Sequence, residues 1–282
     1  MYKVLSALFL IVFIVGCTDN DTEINSEVYS ESLYSDILKK EIQYNLYITH
    51  REMKNIQMES HIIYLLHGHG GDHNDWFQEE EGNVATLLDS LFVMDAIPPL
   101  IAVSISAGNS WYVDSVESME TFYLQEFIQE FEELYNLNPT RRIIAGNSAG
   151  GYGTLRFSLG RPELFESVIL LSPAAYEPLP PAVSSSRKVE AFAKDGNFND
   201  SIWRSYSYTR RIESFLQKKQ KPKFYLSVGD DDNYNIVPVV SKLQQLFLEN
   251  NVPNELRVMD GGHDWTFWKK SFANFLTEIY TE

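Results

Sequence analysis

Between residues 41 and 280 the sequence sets short apolar runs between stretches of helical period, and that alternation is its strongest constraint on a fold. Ile42, Tyr44, Leu46 and Ile48 share one face, as in a half-buried strand. The run Ile62-Ile63-Tyr64-Leu65-Leu66 is apolar at every position, which suits a parallel strand covered on both faces. Further strands are predicted over 100–106, 142–145, 167–171, 224–228 and 255–259. Between and after them, helices are predicted over 84–94, 119–135, 149–159, 239–249 and 266–280. Strands alternating with helices predict a mostly parallel sheet with helices on both faces. No internal repeat or second composition regime interrupts residues 36–282, so this stretch reads as one domain. The interval 173–213 breaks the rhythm with Pro173, Pro178, Pro180 and Pro181, then Ser184-Ser185-Ser186, and predicts a surface excursion able to serve as a lid or rim.

Composition narrows the class of partner. Thirty-nine acidic residues against 23 Lys and Arg leave a formal charge of −16, which opposes nucleic-acid binding and electrostatic docking on anionic lipid. A single cysteine excludes an internal disulfide, a thiolate metal cage and a C-x-x-C redox pair. That residue, Cys17, directly follows a stretch in which Lys3 precedes the apolar residues Leu5 to Val15. The apolar core has the length of a signal peptide and is too short to span a bilayer. Ile14-Val15-Gly16-Cys17 resembles the lipobox of bacterial lipoproteins. Residues 1–16 are therefore expected to be a signal peptide, with Cys17 lipidated and the protein held to the bacterial cell envelope through that anchor. Residues 17–35, polar and acidic, are expected to be a flexible tether.

The chemistry is concentrated at the predicted strand ends. Gly146-Asn147-Ser148-Ala149-Gly150 is a G-x-S-x-G motif between a predicted strand and a predicted helix, a context that exposes a nucleophilic serine on a tight turn. His263, in Gly261-Gly262-His263-Asp264 after the last predicted strand, is the candidate base. A carboxylate must orient and charge-stabilise that imidazole, and Asp230, Asp231 and Asp232 follow the strand over 224–228. Residue type alone does not choose among the three. The glycine-rich run His67-Gly68-His69-Gly70-Gly71 suits an oxyanion hole, with the backbone amides of His69 and Ala149 as candidate donors. Read as a metal site, His67, His69, Asp72 and His73 form H-x-H-x-x-D-H, one residue too long for the H-x-H-x-D-H pattern of metallo-β-lactamase-fold hydrolases. With His263 alone downstream, the ligands of a two-metal site are not available, and no metal or cofactor is expected.

These motifs together resemble an esterase branch of the α/β-hydrolase fold that includes feruloyl and acetyl-xylan esterases, esterase D and the mycolyltransferases. The resemblance runs from about Glu41 to Tyr280. It rests on the G-x-S-x-G motif, on Tyr64 to Gly71 with Asp75-Trp76, on Gly108 to Ser115, on Arg161-Pro162-Glu163-Leu164-Phe165, and on Gly261 to Trp265 with Trp268. It implies a serine esterase with no cofactor that acts through Ser148, His263 and an acid at the fourth residue of a G-x-x-D turn, which here is Asp232. Trp111, Tyr112 and Trp265 are expected to line the substrate site as an aromatic wall. An ester on plant polysaccharide, feruloyl or acetyl, is the expected substrate. Acyl transfer by the same residues and glycan binding without catalysis are the competing readings.

Overall fold

The computed structural model describes residues 26–49 and 59–281. Cys17 and residues 1–25 lie outside them. In chain order the elements begin with β1 (Glu27–Ser35), β2 (Lys40–Ile48), β3 (Glu59–Leu66), α1 (Val84–Val93) and β4 (Ile101–Ile105). Next come α2 (Met119–Phe122), a π-helical turn (Tyr123–Phe127), α3 (Ile128–Leu134), β5 (Asn138–Asn147), α4 (Ala149–Gly160) and β6 (Ser167–Leu171). The excursion holds β7 (Ala193–Lys194), β8 (Asn197–Phe198), α5 (Asp200–Ser205) and α6 (Thr209–Leu216). The chain then runs through β9 (Lys223–Gly229), α7 (Ile236–Glu249), β10 (Asn254–Met259) and α8 (Trp265–Thr281).

Eight strands form one sheet in the order β1-β2-β4-β3-β5-β6-β9-β10. The β1–β2 and β2–β4 pairs are antiparallel, and every pair from β4 to β10 is parallel. The uniform apolarity of the central strands follows from cover on both faces. Side chains alternate across a strand, so Ile62, Tyr64 and Leu66 enter a core closed by Phe122, Phe131, Leu155 and Val240. Ile63 and Leu65 enter the opposite core, closed by Leu88 of α1 and by Phe272 and Phe275 of α8. All parallel strands deliver their carboxyl ends to one edge of the sheet, where ligands bind in open α/β sheets.

Three differences from the sequence reading have local causes. Residues 27–35, expected to belong to the tether, form edge strand β1, paired with β2 from Glu27↔Ile48 to Ser35↔Lys40. Glu31 falls on the same face as the core-packed Tyr29 and Leu33, while Val28 and Tyr34 stand exposed on the other, so no apolar alternation marks the strand. The helix expected over 119–135 carries a π-turn in its middle. That wider turn lets Phe122, Tyr123 and Phe127 all reach the core, while Glu126 accepts the Ser35 hydroxyl at 2.5 Å. Helix α7 starts at Ile236, three residues before the expected start, because Pro238 falls in its first turn and removes no intrahelical hydrogen bond.

The proline-rich excursion is anchored to the body through buried charge. Arg156 of α4 is 2% exposed and its Nη2 lies 2.7 Å from Glu120 Oε2. Arg211 of α6 reaches the same carboxylate, with Nη2 3.0 Å from Oε2, and donates Nη1 to Arg156 O at 2.9 Å. Arg156 also donates to the Tyr206 carbonyl. One carboxylate thus joins α2, α4 and α6.

Candidate active site

Ser148 sits between the end of β5 and the start of α4 with φ 53° and ψ −116°, a backbone conformation that costs energy for a residue with a side chain. Hydrogen bonds on both sides hold it there. Its N–H donates to Leu171 O at 2.9 Å, and its carbonyl accepts from Ala174 N at 2.9 Å and Tyr152 N at 3.1 Å. Gly150 makes the turn possible, because a Cβ there would lie 2.1 Å from Leu66 O. The serine consequently stands at the sheet's carboxyl edge with the start of α4 beside it.

Asp232 and His263 reach the serine from the turns after β9 and β10. His263 Nε2 lies 2.9 Å from Ser148 Oγ, and His263 Nδ1 lies 2.7 Å from Asp232 Oδ2. The Asp232 side chain is fully shielded from solvent and that of His263 is 9% exposed. Asp232 Oδ1 also accepts the Tyr234 N–H at 2.9 Å. With Nδ1–H donated to the carboxylate, Nε2 is left as the acceptor facing the serine hydroxyl. The Tyr234 and Trp268 rings pack against the imidazole at centroid distances of 4.5 and 5.0 Å. The turns carrying the acid and the base are locked together, with Asp230 N on Met259 O at 2.9 Å and Asp231 N on Gly261 O at 3.0 Å. Asp230 and Asp231 are exposed, so the G-x-x-D position is the one that turns inward.

A cavity of about 280 Å³ opens over these groups, lined by Ser148, His263, His69, Tyr234, Trp265 and Trp268 among others. The 67–71 segment forms one wall. Gly70 N donates to Asn109 Oδ1 at 2.9 Å, so the loop after β4 braces the loop after β3. Ala149 is the first residue of α4, and the first N–H groups of a helix have no intrahelical acceptor. Burial, then the charge of Lys188, pushes the His69 imidazole below the usual histidine range.

His67 has a structural role. Its Nε2 accepts Ala107 N–H at 3.0 Å and its Nδ1 meets Gly68 O at 2.8 Å. Both ring nitrogens of His67 are therefore committed to the backbone.

The aromatic wall needs correction. Trp265 lines the cavity, but Trp111 and Tyr112 are 2% and 1% exposed. Trp111 packs edge-on against Tyr152, Phe192 and Trp203 at 5.6–6.2 Å. Tyr112 donates its hydroxyl to His67 O at 3.0 Å and lies beneath the site. Both take positive φ, which turns their side chains inward where an extended loop would present them outward. Tyr234, Trp268 and Ser185 occupy cavity positions in their place. Ser185 belongs to the excursion, whose rim role could be anticipated only from its broken rhythm. Tyr234, two residues after Asp232, carried no periodic signal.

Comparison with known proteins shows the family to which the chain belongs. The family model described as "Putative esterase" matches residues 35–279. An acetyl esterase from Caldicellulosiruptor saccharolyticus is 31% identical over 242 residues, spanning 75% of this chain and 80% of that protein. An S-formylglutathione hydrolase from Bos taurus is 27% identical over 160 residues, 49% of this chain and 55% of that protein. A solved ferulic acid esterase superposes with a TM-score of 0.75 at 24% identity, covering 92% of this chain and 98% of that one. The chain belongs to this esterase family and is a carboxylic ester hydrolase on the α/β-hydrolase fold.

Proposed function

We propose that Ser148, His263 and Asp232 are the catalytic triad of a serine esterase acting on acyl groups attached to polysaccharide or its fragments. The observation that carries this reading is the continuous contact Ser148 Oγ–His263 Nε2–His263 Nδ1–Asp232 Oδ2, at 2.9 and 2.7 Å, opening into a cavity. His263 takes the proton as Ser148 Oγ adds to the ester carbonyl, and Asp232 stabilises the imidazolium. The backbone amides of His69 and Ala149 receive the charge that develops on the carbonyl oxygen. Collapse of the tetrahedral intermediate expels the alcohol, which takes its proton from His263. Water, activated by the same imidazole, then releases the acid and restores the serine.

Acetyl and feruloyl groups are the favoured acyl classes, supported by the acetyl esterase relative and the ferulic acid esterase likeness. Trp265 and Trp268 offer apolar surface for an aryl acid or a sugar face. The test is hydrolysis of short aryl esters and feruloyl esters by wild type and Ser148→Ala. Activity in the wild type, reduced at least about a thousandfold in the variant, is expected. Full activity in Ser148→Ala removes the serine from the mechanism. Product analysis with a sugar acceptor present separates hydrolysis from acyl transfer.

The same reading places the enzyme at the bacterial cell envelope, anchored by acyl chains on Cys17 after cleavage of residues 1–16. The Leu5 to Val15 run and the Ile14-Val15-Gly16-Cys17 sequence support it. Release of Cys17→Ala from the membrane fraction, with loss of acyl mass on the N-terminal peptide, is the expected result. Equal membrane retention of both proteins overturns it.

A further inference from the structure

The catalytic cavity has a charged wall that the triad does not use. Asp75 and Glu81 both line it, and both come from the connection between β3 and α1. Residues 68–82 of that connection carry five carboxylates, Asp72, Asp75, Glu79, Glu80 and Glu81, and no Lys or Arg. Asp75 Oδ1 accepts the Asp72 N–H at 2.9 Å, which fixes its carboxylate against Gly71. Glu81 Oε2 is buried and has no hydrogen-bond partner. None of the described ion pairs neutralises either residue. Burial, followed by the charges of Asp75, Asp72 and Glu80, raises the Glu81 carboxyl above its ordinary value.

Negative charge also flanks the catalytic turns. Carboxylate oxygens of Asp230, Asp231 and Asp260 lie within 4.8 Å of one another, exposed, on the turns that lead to Asp232 and His263. Lys188 is the cation whose field reaches His69 in the cavity, and it is exposed on the excursion. Cavities lined by one sign of charge focus that field and sort ligands by charge.

We propose that Asp75 and Glu81, the carboxylates that line the catalytic cavity, act as a charge filter that admits neutral esters and disfavours acyl donors with carboxylates on the leaving group. Acylated neutral sugars meet the first condition. Glutathione thioesters, with two carboxylates and one ammonium group, fall in the second class. The proposal rests on the serine-esterase reading and narrows its substrate. Repulsion between a leaving-group carboxylate and these two side chains weakens productive binding. It adds no step to the chemistry and changes no bond that forms or breaks.

The test compares two acetyl thioesters that differ in leaving-group charge, S-acetylglutathione and S-acetyl-N-acetylcysteamine, with p-nitrophenyl acetate as a neutral oxygen ester. The readout is the ratio of kcat/KM between the neutral and the anionic thioester, within each protein, so any general loss of activity cancels. A preference for the neutral thioester on the order of tenfold is expected in the wild type at low salt, compressed as ionic strength rises. Glu81→Gln should reduce the ratio by about threefold and Glu81→Lys further. A wild-type ratio near unity overturns the filter, as does a ratio that stays constant in both active variants. Absence of turnover with p-nitrophenyl acetate removes the esterase reading, and the filter with it.

Discussion

Asp232 Oδ2 and His263 Nδ1 lie 2.7 Å apart at the carboxyl ends of adjacent parallel strands, and the carboxylate is closed to solvent. The pairing is specific to one of three consecutive aspartates. Asp232→Asn places an amide where the imidazole N–H needs an acceptor and favours the wrong tautomer. A fall in kcat of about 10³–10⁴ is expected. Asp231→Asn alters an exposed side chain and should leave kcat within about twofold. Steady-state kinetics on an aryl ester reads both, and equal losses in the two variants remove the assignment of Asp232.

Trp111 and Trp265 separate packing from substrate contact. Trp111 is 2% exposed within a cluster of aromatic rings. Trp111→Ala should cost about 3–5 kcal/mol of stability, read as a lowered unfolding midpoint in denaturant. Trp265 lines the cavity and is half-buried. Trp265→Ala should raise KM for aryl-acyl esters and lower the midpoint far less. A large KM change with an unchanged midpoint for Trp111→Ala would return that residue to the substrate wall.

Glu120 makes stability depend on pH. Burial alone raises its carboxyl, but Arg156 and Arg211 outweigh that and hold it below its ordinary value of 4.5. A carboxyl depressed in the folded state contributes stability that is present in full above the unfolded value and lost as pH falls through the folded one. Glu120→Gln leaves Arg156 buried beside a neutral amide, at a cost of about 3–5 kcal/mol near neutral pH. Thermal melts from pH 3 to 8 should show the gap between wild type and variant narrowing on the acid side. A gap that stays constant down to pH 3 means that Glu120 does not titrate with unfolding.

The central strands are readable because burial on both faces leaves an unbroken apolar run, as in Ile62 to Leu66. Ser148 and His263 are readable because a tight turn and a glycine-flanked loop each follow a predicted strand. Asp232 needs the family resemblance, since its exposed neighbours Asp230 and Asp231 have the same side chain. What the sequence hides depends on three-dimensional context. Trp111 and Tyr112 look like surface aromatics until their positive φ turns them inward. Strand β1 escapes notice because an edge strand with a solvated face needs little apolar patterning. Asp75 falls within the segment that carries the family resemblance, but Glu81 follows it in an acidic loop with nothing in the sequence to mark it as a cavity residue.

The strained turn at Ser148 has a consequence for variation in the core. Its N–H is tied to Leu171 at the end of β6, and Gly150 rests on Leu66 at the end of β3. The nucleophile is therefore aimed from behind, by main-chain atoms of strands that never meet substrate. Reacting groups tolerate displacements well below an ångström before rate suffers. Repacking β3 or β6 in a core library would then surface as clones with ordinary melting behaviour and ordinary KM but slowed turnover, and a screen for stability alone would pass them all.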